Sequence, residues 1–412
     1  MNANSQPLAG LMEEFGPLPV APLAVPLARS HVTARVETDI ERVEGIWRQL
    51  CGEVLDSPGQ SYDFIRLWTR NRNLPGSAQR YVVGEVDGRP VALLPLHLKR
   101  VWGIKVLTWF PGANAGCYAP IADRAELAAL GASGRAALWR TMIASLSGAS
   151  LLYLRSVPVG SREDAGLFDE LGTALQTEIL YRAQFSSWEQ CDAEQRSRSR
   201  RKHDRQQGDR LAALGTVGFE EIADPALAHP VIDLMFRQRS DRFRAQGIRD
   251  CFVADNLIGF YHEAIEPKSG LDVRLHVLRL DSEIVAVRYN IVHGDRMFCL
   301  ISSMSASERI QSGSPGKQCL LRVMQSVFGQ GLRVFDMGAG FTDEKRHWCN
   351  VQVPLRHHYV SLTLFGAAIA QAHCALQRLR MWAKANPVVR NGLRGLRQLY
   401  DRGGARTGSD QL

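Results

Sequence analysis

Residues 313–336 read GSPGKQCLLRVMQSVFGQGLRVFD. A Gly- and Ser-rich turn ends in Pro315, Gly316 and Lys317. Apolar residues at helical spacing come next, and a short β-rich run ends on Asp336. The same order stands 182 residues earlier, at 131–154, as GASGRAALWRTMIASLSGASLLYL. Gly131 and Gly134 match Gly313 and Gly316, Arg135 matches Lys317, Arg140 matches Arg322, and Met142 matches Met324. The two segments part at their last position, where the counterpart of Asp336 is Leu154.

A second pair of segments extends the repeat outward. Residues 81–92, YVVGEVDGRPVA, resemble 275–286, LHVLRLDSEIVA. Each reads as two β-rich runs around a turn at Asp87 or Asp281, and Asp-Gly between apolar runs is a strong hairpin signal. Each half of the chain therefore predicts a hairpin, a Gly-x-x-Gly-Arg/Lys turn, an amphipathic helix and a further strand. Self-similarity at so long a period indicates a duplicated domain rather than a solenoid. Between the halves, Ser187 with Gln190 forms a capping box. It predicts a helix from about 188 to 214 that ends at Gly215.

The 412 residues are 45% hydrophobic and 22% charged, as in a globular protein of about two domains. No apolar run reaches the roughly 20 residues needed to span a bilayer. MNANSQ lacks a basic residue, and Pro17, Pro19, Pro22 and Pro26 break the apolar stretch beyond it, so residues 1–30 read as a disordered leader rather than a secretory signal. The eight cysteines are scattered without a C-x-x-C pair, which suits reduced thiols and gives no metal-ligand spacing. A cytoplasmic protein without metal is expected.

The net charge of +8 is concentrated. Residues 196–210 carry +5 and residues 361–400 carry +6, leaving −3 over the rest. The first cluster, RSRSRRKHDRQ at 196–206, has no aromatic platform beyond His203, which disfavours nucleic acid. It reads either as a solvated helix face or as a face meeting phosphates through Arg198, Arg201 and Arg205. The second cluster reads either as a helix packed on the body or as a basic element at a membrane surface or a synthase.

A glycine turn opening a helix can hold an anion, since the first helical amides lack internal partners. Ser312 to Lys317 fit this, although an ordinary helix-initiating turn has the same look. The spacing is not that of a nucleotide-hydrolase loop.

The order of Ser314-Pro315-Gly316, then Phe335-Asp336-Met337-Gly338-Ala339-Gly340, then Lys345 and Trp348, resembles the GNAT acyltransferase superfamily. More narrowly it resembles the cellulose-biosynthesis-associated acetyltransferase-like branch, related to Fem-type aminoacyltransferases. The resemblance implies an α/β (α+β) fold of tandem GNAT-like domains, each a mixed, mainly antiparallel sheet flanked by helices. The expected layout is a leader (1–30), a degenerate first domain (31–185), an acyl-CoA-binding second domain (186–362) and a basic helical tail (363–412).

It also implies acyl transfer, most simply of acetyl, from acyl-CoA to an amine on a small molecule or envelope precursor, in exopolysaccharide or cell-envelope synthesis. The alternatives are a non-catalytic partner of a polysaccharide synthase and Fem-like transfer from aminoacyl-tRNA. Gly313, Ser314, Gly316 and Lys317 would hold the coenzyme phosphates, and its arm would lie between strands at 297–304 and 332–338. Asp336 would act as base or ammonium anchor, or would cap the Gly-rich turn after it. Lys345 would position an acidic group or stand as a solvated surface lysine, and Tyr289 or His293 would relay a proton or, more simply, pack in the core or at the sheet edge. Arg155 would reach the cleft from the first half. The sequence departs from the family at Glu344, where an aromatic residue is common, and in the Ser-rich run 302–307.

Overall fold

The computed structural model of the protein describes residues 31–52, 55–101, 103–111, 115–160, 166–247, 250–254 and 256–386. The expected leader, residues 1–30, and the part of the expected tail beyond Asn386 lie outside the described residues.

The first half runs β1 (Val32–Glu37), α1 (Glu44–Cys51), α2 (Tyr62–Asn71), β2 (Gln79–Val86), β3 (Arg89–Val101), β4 (Ile104–Thr108), β5 (Ile121–Ala122), α3 (Arg124–Ala129), α4 (Gly131–Ala144), β6 (Leu151–Pro158) and β7 (Thr173–Gln184). The second runs α5 (Trp188–Gln195), α6 (Arg198–Ala212), β8 (Val217–Ile222), α7 (Pro225–Ala245), α8 (Cys251–Ala254), α9 (Ile258–Ala264), β9 (Asp272–Leu280), β10 (Glu283–His293), β11 (Arg296–Met304), α10 (Glu308–Gln311), α11 (Pro315–Gly329), β12 (Val334–Ala339), α12 (Asp343–Trp348), β13 (Val351–Ser361) and α13 (Leu364–Ala385).

Among the described residues one mixed sheet joins all these strands, with helices on its faces. Its order is β1-β2-β3-β4-β6-β13-β7-β12-β11-β10-β9-β8, with β5 attached to β3. The order is nearly palindromic. Antiparallel hairpins lie toward both edges, and a parallel pair stands further in on each side, β4 with β6 and β11 with β12. The turn at Asp87-Gly88 has positive φ at both residues, the form that matches strand twist, and Asp281 repeats it at one residue. Both hairpins form where the sequence places them.

The centre of the sheet obeys a different logic. β7 leaves the first half to pair with β12, and β13 leaves the second half to pair with β6. The two exchanged strands also pair with each other along Thr173–Arg182 and Val351–Tyr359. The halves are thus sewn together by main-chain hydrogen bonds. A shared core continues the join, where Phe64 and Trp68 of α2 meet Phe260 of α9 at ring distances of 4.9 and 5.3 Å.

Two local expectations need correction. The helix expected over 188–214 is two helices, because Ser197 caps a new start by accepting from the Arg200 amide at 3.2 Å. Arg196 between them is extended, its guanidinium drawn to Asp192 and Asp204. In the first half, helix α4 begins at Gly131 itself, so Gly134 sits in its first turns rather than in a preceding loop.

Gly172 begins the crossing into β7 with φ of +75°. A Cβ there would stand 2.5 Å from Val360 Cγ2 and 2.6 Å from the Tyr359 carbonyl oxygen of β13. Gly172→Ala is expected to destabilise the protein by about 2 kcal/mol or more, read as a lower urea midpoint at unchanged m-value.

Candidate active site at the seam

In the second half, β11 and β12 pair over only three positions, Arg296 to Phe298 with Val334 to Asp336, and then separate. β11 carries a bulge at this point. Tyr289 pairs with Ile301 and Asn290 with Cys299, so Leu300 is an extra residue. Such a residue leaves its backbone groups outside the ladder. On the other side, β12 loses register with β7 between Asp336 and Ala339. The gap between these strands is a cleft of about 440 Å³, lined by Phe298, Cys299, Leu300, Asp336 to Ala339 and Lys345. Its far wall comes from elsewhere: Asp56, Ser57 and Arg155 from the first half, Glu178 from β7, and Arg239 from α7.

The equivalent gap in the first half is filled. β4 and β6 pair at Val106–Leu151 and Leu107–Leu152 and then part. The Trp109 indole donates to the Arg155 carbonyl at 3.0 Å, and the Tyr118 amide donates to the Ser156 carbonyl at 3.1 Å. Trp109 and Tyr118 stack, both buried. Arg135, the counterpart of Lys317, is held by Glu170 through two hydrogen bonds of 3.0 and 2.8 Å.

The cleft floor is a buried charge cluster. Arg182 of β7 donates from Nε to Asp336 Oδ2 at 2.8 Å and from Nη2 to the Asp56 carbonyl at 2.8 Å. The same Nη2 stands 3.5 Å from Asp56 Oδ1. Asp56 also pairs with Arg124, and Arg296 donates to the Leu55 carbonyl at 3.2 Å. Burial pushes the Asp56 pKa up, but Arg124, Arg182 and Arg296 outweigh it and hold the carboxyl below its ordinary value.

Asp336 is buried, but inside β12 rather than at its end, because the strand runs on through Gly338 to Ala339. Its Oδ1 accepts from the Gly338 amide at 2.8 Å, so the bond expected of a turn cap is present. Lys345 reaches the same turn, with Nζ donating to the Gly338 and Ala339 carbonyls at 3.2 and 2.6 Å. Burial lowers its pKa, against the opposing pull of Asp336 and Glu178 among its neighbours. Asp336, Lys345 and Arg155 thus meet in one cleft.

Tyr289 does not join them. It is fully buried, its hydroxyl donates to the Tyr261 carbonyl at 3.0 Å, and burial raises its pKa well above the ordinary value. That hydroxyl is unsuited to relaying a proton to the cleft. His293 lines a separate cavity, with Trp47 and Asp63.

The glycine turn is half as open as its sequence suggests. The Gly313 and Ser314 amides donate back to Ile310 and Gln311, Gly313 packs under Leu211, and the Ser314 hydroxyl accepts from Gln207 at 2.9 Å. The Lys317 amide donates to the Ser314 carbonyl. The Gly316 amide is without a partner among the described residues, and the Lys317 side chain is exposed. Ser314, with φ of +48°, takes a left-handed conformation that costs a non-glycine residue energy. In the basic stretch, Arg196, Arg200 and Arg201 pair with Asp192 or Asp204, while Arg198, Lys202 and Arg205 face solvent.

Residues 198–346 match the family described as acetyltransferase (GNAT) domain. The matched GNAT segment contains both diverging strands and Lys345, but neither exchanged strand and nothing of the first half. No curated protein matches the chain. Among solved structures, L-PGS from Bacillus licheniformis is similar at 14% identity and TM-score 0.47, over 81% of this chain and 97% of that one. FemX is similar at 12% and 0.46, over 71% and 91%. A tandem GNAT protein from the clavulanic acid biosynthesis pathway is similar at 13% and 0.39, over 81% and 98%.

Sequence reasoning passes over Asp56, Arg182 and Glu178. A charged residue inside the apolar run LYRAQ is the available signal for Arg182. Because folding lowers the Asp56 pKa, the stabilisation it brings is complete above the unfolded value of about 3.9 and is lost as pH falls through the folded value. Urea midpoints measured from pH 7 down to acid should fall over that window, and Asp56→Asn should flatten the fall while lowering stability at pH 7.

Proposed function

We propose that the protein is an acyl-CoA-dependent N-acyltransferase whose second half holds the donor and whose seam holds an amine acceptor. The observation that carries this reading is the divergence of β11 from β12 beside the bulge at Leu300, within the segment that matches the GNAT domain. Two GNAT-like domains, 31–185 and 186–362, then trade their last strands, and the filled gap of the first makes it the degenerate one.

Acyl-CoA supplies an acyl group activated as a thioester. The chain fits it in three respects. The diverging strands open a slot with unpaired backbone at Leu300. The helix start at Gly316 offers an amide, with the Lys317 charge beside it. The cleft at the slot is closed by a polar wall of Asp56, Arg155, Glu178 and Arg239, while Gly313 to Lys317 lie outside its lining. Gly313 and Ser314 then shape the turn, and Gly316 and Lys317 meet the phosphates.

The acceptor amine must shed a proton as it attacks. Asp336 and Asp56 are bound by arginines, whereas the Glu178 side chain has no hydrogen bond or ion pair among the described residues. Glu178 is the carboxylate suited to take that proton, and Asp336 serves to position Arg182 and the Gly338 turn. Lys345 spends two N–H groups on backbone carbonyls and keeps the third for an acidic group or for the departing sulfur. Arg155 and Arg239 add positive charge to the wall, which suits an acceptor bearing a carboxylate or phosphate, as an envelope or exopolysaccharide precursor would.

Titration calorimetry with acetyl-CoA tests the donor site. Gly316→Val puts branched bulk at the helix start, where Met304 Sδ stands 3.1 Å from a Cβ. It should weaken binding at least about tenfold with the melting temperature kept. Unchanged affinity would misplace the site, and failure of the wild-type protein to bind any of a panel of acyl-CoAs would end the reading. Glu178→Gln should cut release of free coenzyme thiol with a primary-amine panel by about 100-fold, leaving acetyl-CoA affinity intact. Equal rates would remove Glu178 as base.

A further inference from the structure

Helix α13 has two apolar faces, and the fold uses one. Ala370, Ile369, Cys374 and Met381 pack toward Leu151 and Tyr359 of the sheet. The opposite face is exposed. Phe365, Leu376, Leu379 and Trp382 show relative exposures of 61%, 41%, 57% and 56%, and Leu364 at the helix start shows 93%. Exposed Ala368, Ala372 and Ala375 fill the spaces between them. At about 100° per residue these positions form one continuous stripe, opposite the packed face. Arg378 falls at one edge of the stripe and Arg380 at the other. Neither has an ion pair among the described residues. From residue 362 to 400 the sequence carries six Arg/Lys and no Asp or Glu.

An apolar stripe open to water calls for an occupant, and the charge pattern selects which. A second copy laid on the stripe would set basic edges against basic edges, with no acid in the segment to meet them. An anionic lipid surface accepts both parts together. The leucines and rings enter the headgroup boundary, and the flanking cations reach lipid phosphates. Among the described residues no helix is long and apolar enough to cross a membrane, so the geometry is that of a helix lying on the surface. We propose that α13 docks the protein on an anionic bilayer through Phe365, Leu376, Leu379 and Trp382, with Arg378 and Arg380 as the electrostatic edges.

The inference rests on α13 alone and stands apart from the cleft. Flotation of the full-length protein with vesicles tests it. The protein should float with phosphatidylcholine containing phosphatidylglycerol, remain behind with phosphatidylcholine alone, and lose binding as salt rises. Leu379→Glu and Trp382→Glu should each abolish flotation with unchanged melting temperature and unchanged acetyl-CoA affinity. The pair Arg378→Gln with Arg380→Gln should weaken it about tenfold. Absence of flotation with the anionic vesicles, binding that both glutamate variants retain, or a dimer in solution that Leu379→Glu dissociates would each overturn the proposal.

Discussion

The guanidinium of Arg182 is the point on which the rest of the structure depends. It lies on a strand contributed by the first half, between partners from both halves. One is Asp336, inside β12. The other is Asp56, in the segment before α2. All three side chains are buried. A buried ion pair adds little net stability over an apolar replacement, but losing one partner leaves a charge stranded at a cost of about 3–5 kcal/mol. Arg182 therefore acts mainly as a specificity device. A strand exchange that placed any other residue opposite Asp336 would leave Asp336 and Arg182 without each other, while Asp56 would keep only Arg124 as an ion-pair partner.

Closure of the first gap and opening of the second come from small differences on a shared plan. Both halves feed a parallel strand pair from a hairpin and a helix. In the first, Trp109 and Tyr118 occupy the divergence and bond to the backbone of β6. In the second, the residue at the matching place on β12 is Asp336 instead of Leu154. Its carboxylate draws the Gly338 amide into a turn and Arg182 into the floor. Polar groups there cannot be packed over by apolar side chains without losing partners, so the gap stays lined by charge instead of being filled.

The features legible in the sequence are local ones. Asp87-Gly88 and Asp281 announce their hairpins because turn chemistry acts within four residues. The 182-residue repeat announces a helix and the strand after it in each half because the two travel together. The exchange of β7 and β13 leaves no trace, since a strand's pattern records which faces are buried but not which neighbour buries them. Asp336 stands out as a charged residue within an apolar run. Glu178 does not, because alternation of polar and apolar residues is ordinary in a half-buried strand. The helix expected over 188–214 divides because a second serine cap at Ser197 competes with continuation, and the salt bridges of Arg196 to Asp192 and Asp204 decide for the break. Arg196 and Arg201 tie α6 to Asp192 of α5, Arg200 pairs with Asp204 inside α6, and the other three cations of the stretch face solvent.

The seam changes what each half can do alone. The segment that matches the GNAT domain carries the diverging strands, the bulge and Lys345, yet Arg155, Glu178 and Asp56 all come from outside it. Cut from the first half, that segment would keep the diverging strands and lose Arg155, Glu178 and Asp56 from the cleft wall. It would also expose the edge of β12 that β7 now covers, an unpaired ladder beside a buried aspartate without its arginine. In this chain the exchanged strand supplies an edge partner, a counter-ion and the free carboxylate together. Stability at the seam and the charged lining of the cleft are therefore coupled through the same strand.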